Sequence, residues 1–138
     1  MISSQELLRR AQALSPELIE LRRTLHRHPE LGRQEHRTQA LVLRELERLG
    51  IEAKPCADTG VVGLIRGGAP GRTVALRADM DALPLQEETG LPFSSENPGV
   101  MHACGHDTHT AALLGAARLL QELRAELKGN VKLLFQPD

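Results

Sequence analysis

Aromatic side chains are almost absent from this sequence. Its 138 residues include no tryptophan, no tyrosine and two phenylalanines, Phe93 and Phe135. The stacking platforms that hold single-stranded nucleic acid therefore have little to be built from. Charge of one sign is lacking too. The 17 basic residues stand against 18 acidic ones and are spread rather than run together, which leaves no broad electrostatic claim on nucleic acid or an anionic membrane. No apolar run approaches the length of a bilayer span. The N-terminal stretch MISSQELLRRAQALSPEL alternates polar and apolar residues helically and has no signal-peptide core. Cysteine is scarce, with only Cys56 and Cys104, and in a charged, unexported chain such a pair is expected to stay reduced. These absences predict a cytoplasmic protein with neither nucleic acid nor membrane as a partner. The length fits one domain with a core of its own.

The chain divides by pattern. A helix is expected over Gln5 to Ala13. A second starts at Ser15-Pro16-Glu17, where serine can cap, proline suits the first turn and glutamate faces the positive dipole end. It carries Leu18, Leu21 and Leu25 on one face and runs to about His28, before Pro29. A third spans about Gln34 to Leu49, with Leu43, Leu46 and Leu49 inward and Gly50 as the stop. The stretches IEAKPC, GVVGLIRG and RTVALRAD then read as strands, and GGAPGR between the last two predicts a hairpin. A long irregular segment follows from Met80 to Met101, of a length that is often functional. Asp107 or Thr108 opens a last helix with Leu113, Leu114, Ala117, Leu120 and Leu123 as its apolar stripe and Gly129 as its end. NVKLLFQP closes the chain as a buried strand. This order predicts an α/β fold, a layered sheet with helices packed against it.

Chemistry concentrates in MHACGHDTHT, residues 101–110, with three histidines, one cysteine and one aspartate. Cys104 and His106 are two apart, so in an extended segment thiolate and imidazole point to one side and can converge on an ion. The N-terminus of the following helix favours the thiolate. His109 can approach from the first helical turn, and His102 shares the parity of Cys104. A lone Cys-x-His pair cannot close a tetrahedral shell, and no second Cys/His pair exists to make a structural zinc site. The competing reading is a polar helix start with Asp107 as cap, exposed histidines and Cys104 buried as a small apolar residue.

Asp79 and Asp81 sit just past the strand TVALRA, where open α/β sheets place ligand sites. They share parity, and either could orient a ligand imidazole through its second nitrogen. The alternative is a pair of turn caps ahead of Pro84. In LHRHPELGRQE, His26, His28, Glu30 and Glu35 invite a second metal reading. His26 and His28 cannot share a helical face, however, so the stretch reads as a solvated helix exit.

Taken together, LHRHPELGRQE, the run from LRADMDALP through MHACGHDTHTAALLGAARLL, and GNVKLLFQP resemble the N-terminal part of a known family. It is the amidohydrolase branch of the aminoacylase and carboxypeptidase metallopeptidases, which includes hippurate hydrolases, N-acyl-amino-acid deacylases and auxin-conjugate hydrolases. The likeness runs from about Leu21 to Pro137. It implies a di-metal peptidase-type catalytic domain with two divalent ions, zinc or manganese, and Cys104 and His106 as metal ligands. Asp81 matches the family's orienting aspartate of the catalytic site. The implied reaction is hydrolysis of the amide bond in an N-acyl amino acid or small peptide, with a glutamate taking a proton from water.

In the family, the strand matching VKLLFQP leads to a consecutive glutamate pair; here Asp138 stands just before that position. Residues 1–138 are thus expected to be the N-terminal portion of the catalytic domain, without the rest of it or the dimerisation domain. The complete enzyme is expected to be a homodimer and the isolated chain inactive, its last strand left as an exposed sheet edge. The alternative is a stand-alone, non-catalytic α/β module that binds metal or a partner protein.

Overall fold

Ser3 begins the regular structure, its hydroxyl accepting the Glu6 amide at 3.2 Å and so capping α1, Ser4–Ala13. Helix α2, Ser15–Arg27, follows almost without interruption in a computed structural model that describes residues 1–138. Ser15 does not cap it. Leu14 keeps αR geometry, so Ser15 is already helical, and Pro16 occupies the first turn, where its missing N–H is not needed. Helix α3, His36–Arg48, buries Thr38, Leu41, Val42 and Leu46, while Leu43 and Leu49 pack at the margin of the core. Gly50, at φ +69°, ends it.

Four strands form one sheet: β1, Glu52–Cys56; β2, Gly60–Arg66; β3, Ala69–Asp79; and β4, Lys128–Gln136. Their order is β1-β2-β4-β3, so the hairpin expected between β2 and β3 does not form. The hairpin joins β1 to β2 instead, with Cys56 opposite Gly60 and a turn in which Ala57 and Asp58 take positive φ. Strand β4 lies antiparallel to β2, with Val62 opposite Leu134, and parallel to β3, with Leu76 opposite Leu133. Burial explains the order: Leu133 and Phe135 are at most 2% exposed, whereas β3 is open along most of its length, Val74 reaching 57%. The expected exposed edge at the last strand is therefore corrected. β4 is interior, and β3 is an edge.

A crossover through α4, His106–Glu122, links the parallel pair β3 and β4. The helix starts at His106 after Gly105, which is left-handed at φ +103°, and stops at Glu122 rather than near Gly129. A 3-10 turn, Arg124–Glu126, intervenes. Gly129 lies inside β4 at φ +88°, where a Cβ would come within 2.0 Å of the Arg72 carbonyl. Its role is close strand approach. Helix α3 packs on β1 and β2, α4 on β3, and α2 on α4. Leu25, Leu46, Ile65, Ala117, Leu133 and Phe135 belong to the resulting core. This packing brings the end of β3 and the first turn of α4 together.

Candidate metal centre

Strand β3 delivers Asp79 as its last residue, and Asp81 follows two positions on. The first turn of α4 delivers His106 and His109, whose rings stack with centroids 5.6 Å apart. Nδ1 of His106 lies 2.8 Å from Asp81 Oδ1 and 3.0 Å from the Asp81 carbonyl. Donation from Nδ1–H to these oxygens leaves the Nε2 lone pair for a further partner. Nε2 faces Asp79 Oδ2 at 3.4 Å, and His109 Nδ1 meets Asp79 Oδ1 at 2.7 Å. Thr110 Oγ1 donates to the Asp79 carbonyl at 3.0 Å, tying strand to helix.

Ligand atoms of Asp79, His106 and His109 all lie within 4.8 Å of one another. One carboxylate and two imidazoles are donors of the kind that hold a divalent cation. Burial alone would raise the Asp79 carboxyl. The His109 hydrogen bond and the nearby His106 outweigh it and hold the group below its ordinary value.

Cys104 is exposed with a free thiol, as is Cys56. Cys104 stands two residues before His106 but is not one of the three groups that converge within 4.8 Å. The buried reading of Cys104 is thereby corrected: the residue is exposed, immediately before the left-handed Gly105. His102 goes the other way. It is 4% exposed, neither ring nitrogen has a hydrogen-bond partner, and burial pushes its pKa down to about 4 despite the opposing charge of Asp107.

The stretch read as a solvated helix exit is internal at His26 and Glu35. His26 is 2% exposed; its Nδ1 lies 2.7 Å from Asp107 Oδ2 and its Nε2 3.1 Å from Glu87 Oε1. Glu35 is fully buried and accepts from the Thr59 hydroxyl and, at 3.1 Å, the Asp138 amide. Glu30 caps α3, accepting the Arg37 amide at 2.9 Å and the Thr38 amide at 2.7 Å. Asp107 and Glu87 were invisible as partners of His26, because nothing local couples residues 81 and 61 positions apart. A cavity of about 520 Å³ between α2 and α4, lined by Leu18, Ile19, Phe93 and Ala111, contains none of the metal-donor groups.

The α/β scaffold thus sets carboxylates at a strand end against imidazoles on the facing helix, where open sheets place ligand sites and where a metal ion could be held. Residues 75–138 match the peptidase family M20/M25/M40. The chain is 54% identical over 125 residues to an N-acetyl-L-cysteine deacetylase of Bacillus subtilis, covering 90% of this chain and 30% of that protein. An N-acyl-L-amino acid amidohydrolase of Geobacillus stearothermophilus is 46% identical over 136 residues, 98% of this chain and 37% of the relative. The Bacillus subtilis YXEP protein, a dinuclear metal-binding peptidase of the M20 family, superposes with TM-score 0.88 at 51% identity, over 91% of this chain and 36% of that one. Over residues 75–138 the chain thus resembles the M20 peptidases. It spans about a third of the length of the curated relatives it matches.

Proposed function

We propose that residues 1–138 are the N-terminal portion of a catalytic domain that hydrolyses the amide bond of N-acyl amino acids or small peptides, using two divalent ions, zinc or manganese. Cys104 and His106 hold one of them. The observation that carries the reading is the His106–Asp81 pair: a carboxylate on Nδ1 leaves Nε2 as the metal-facing atom. The named activities of the relatives, deacetylation of N-acetyl-L-cysteine and N-acyl-amino-acid amidohydrolysis, support the substrate class.

When bound, such ions supply Lewis acidity toward the scissile carbonyl and toward water. The residues of this chain do the positioning. Asp81 fixes the His106 tautomer and ring plane, so that Nε2 is presented at the end of β3. Cys104, exposed on the turn two residues before His106, would supply a sulfur ligand. Asp79 places a carboxylate beside the same nitrogen and draws His109 into the cluster. The glutamate that accepts the proton from water belongs, by the family resemblance, to sequence following the strand β4. A cytoplasmic location and a homodimer of the complete enzyme complete the proposal. No helix of this chain is long and apolar enough to cross a membrane.

The test is an assay of the complete gene product, loaded in turn with zinc, manganese and cobalt, against a panel of N-acyl amino acids and dipeptides. Release of free amino acid is expected, with loss in Cys104→Ala and His106→Ala. Absence of release from every substrate with every metal contradicts the proposal.

A further inference from the structure

Behind the candidate ligand turn lies a buried network of charged groups that the proposed chemistry does not use. Its hub is His26, on α2. One ring nitrogen meets Asp107 Oδ2 at 2.7 Å and the other meets Glu87 Oε1 at 3.1 Å. Asp107, 1% exposed, also accepts Arg22 Nε at 2.8 Å, and its second oxygen accepts the Thr108 amide at 2.9 Å. Glu87 accepts the Ser95 amide at 2.6 Å and the Thr89 hydroxyl, which ties together the long segment after β3. Phe93 from that segment stands edge-on to the His26 ring at 5.6 Å, and His102 lies on it with centroids 6.4 Å apart.

These contacts bracket the ligand turn. His26 touches the residue that follows His106 and packs beside the residue two before Cys104. Between these anchors His106 is held by Asp81, whereas Cys104 is exposed and Gly105 is left-handed. A short turn containing glycine presents two side chains to one centre only when both ends are fixed. Burying two carboxylates and an imidazole, with a half-buried guanidinium at their edge, is also a poor route to stability compared with apolar packing, which leaves specification of geometry as the gain. We propose that His26 is a positioning residue for the Cys104–His106 turn. It acts through Asp107 on one side and through Glu87, Phe93 and His102 on the other. The inference rests on the proposed ligand role of that turn.

Four forms of the chain test it: wild type, His26→Phe, His26→Gln and Leu46→Ala. Phenylalanine keeps ring volume and removes both nitrogens. Glutamine restores an amide donor and is the milder change should the aromatic variant not fold. Leu46→Ala, in the core on α3, controls for general loss of stability. Amide exchange at residues 105–109 is followed in metal-free protein, and cobalt(II) affinity is titrated with the thiolate-to-cobalt absorption band. Exchange at 105–109 should accelerate in His26→Phe beyond the rise seen in Leu46→Ala. Its cobalt affinity should fall about tenfold or more, with partial recovery in His26→Gln and none of this loss in Leu46→Ala. Exchange no faster than in Leu46→Ala, together with cobalt affinity within about twofold of wild type, overturns the role of His26. Undiminished cobalt binding in Cys104→Ala would overturn the ligand assignment alone. The metal-free exchange comparison then still decides whether His26 fixes the turn.

Discussion

Asp81 Oδ1 stands 2.8 Å from His106 Nδ1, and the Asp81 carbonyl approaches the same nitrogen at 3.0 Å. Two acceptors on one ring nitrogen fix both its proton and the orientation of the ring. The end of β3 thereby sets the direction of a side chain on α4. In Asp81→Asn the group keeps its shape but loses its charge and so supports the imidazole less well. Metal affinity should fall about 10- to 100-fold with little change in far-ultraviolet dichroism. Competition with a chromophoric chelator measures it, and unchanged affinity would remove Asp81 from the orienting role.

Acid should destabilise the chain in two stages. Burial lowers the His102 pKa from 6.5 to about 4, so the folded state binds fewer protons there than the unfolded state does. That contribution is present above pH 6.5 and is lost as pH falls toward 4. Burial alone would raise the Glu87 carboxyl. The Thr89 hydroxyl, the Ser95 amide and His26 hold it instead at about 2, against 4.5 when unperturbed. Its contribution is present above pH 4.5 and is lost as pH falls toward 2. Urea midpoints from pH 8 to 2 should fall throughout, with His102→Phe flattening the upper stage and Glu87→Gln the lower. Parallel curves for all three proteins would contradict these assignments.

Glu30 caps α3 through the amides of Arg37 and Thr38 and the Thr38 hydroxyl. Glu30→Ala leaves these donors without their acceptor and should cost about 1–2 kcal/mol. Denaturant unfolding reads this directly. A midpoint equal to wild type would mean that water or another side chain replaces the cap.

The elements were legible because they are local. Leucine spacing marked α2 and α3, Pro29 and Gly50 marked their ends, and β-branched runs marked β2 and β3. The sheet order was not legible, because it depends on which strand has least access to solvent. Leu133 and Phe135 place β4 between β2 and β3, and no turn residue in GGAPGR announces that. The shared parity of Asp79 and Asp81 suggested a common cleft. The αL geometry of Gly105 and the exposure of Cys104 were not visible in a motif read as an extended segment. His26 was hidden because it cannot share a helical face with His28 and sits in a stretch of alternating basic and acidic residues, LHRHPELGRQE, and its carboxylate partners lie far along the chain.

Cobalt(II) titration of the 138-residue chain beside Cys104→Ala and His106→Ala tests the central claim most directly. Wild type should bind cobalt saturably and show a thiolate-to-cobalt band. Cys104→Ala should lose the band, and both variants should lose affinity. Equal affinity in all three proteins, with no thiolate band in any, would contradict the assignment of Cys104 and His106 as ligands.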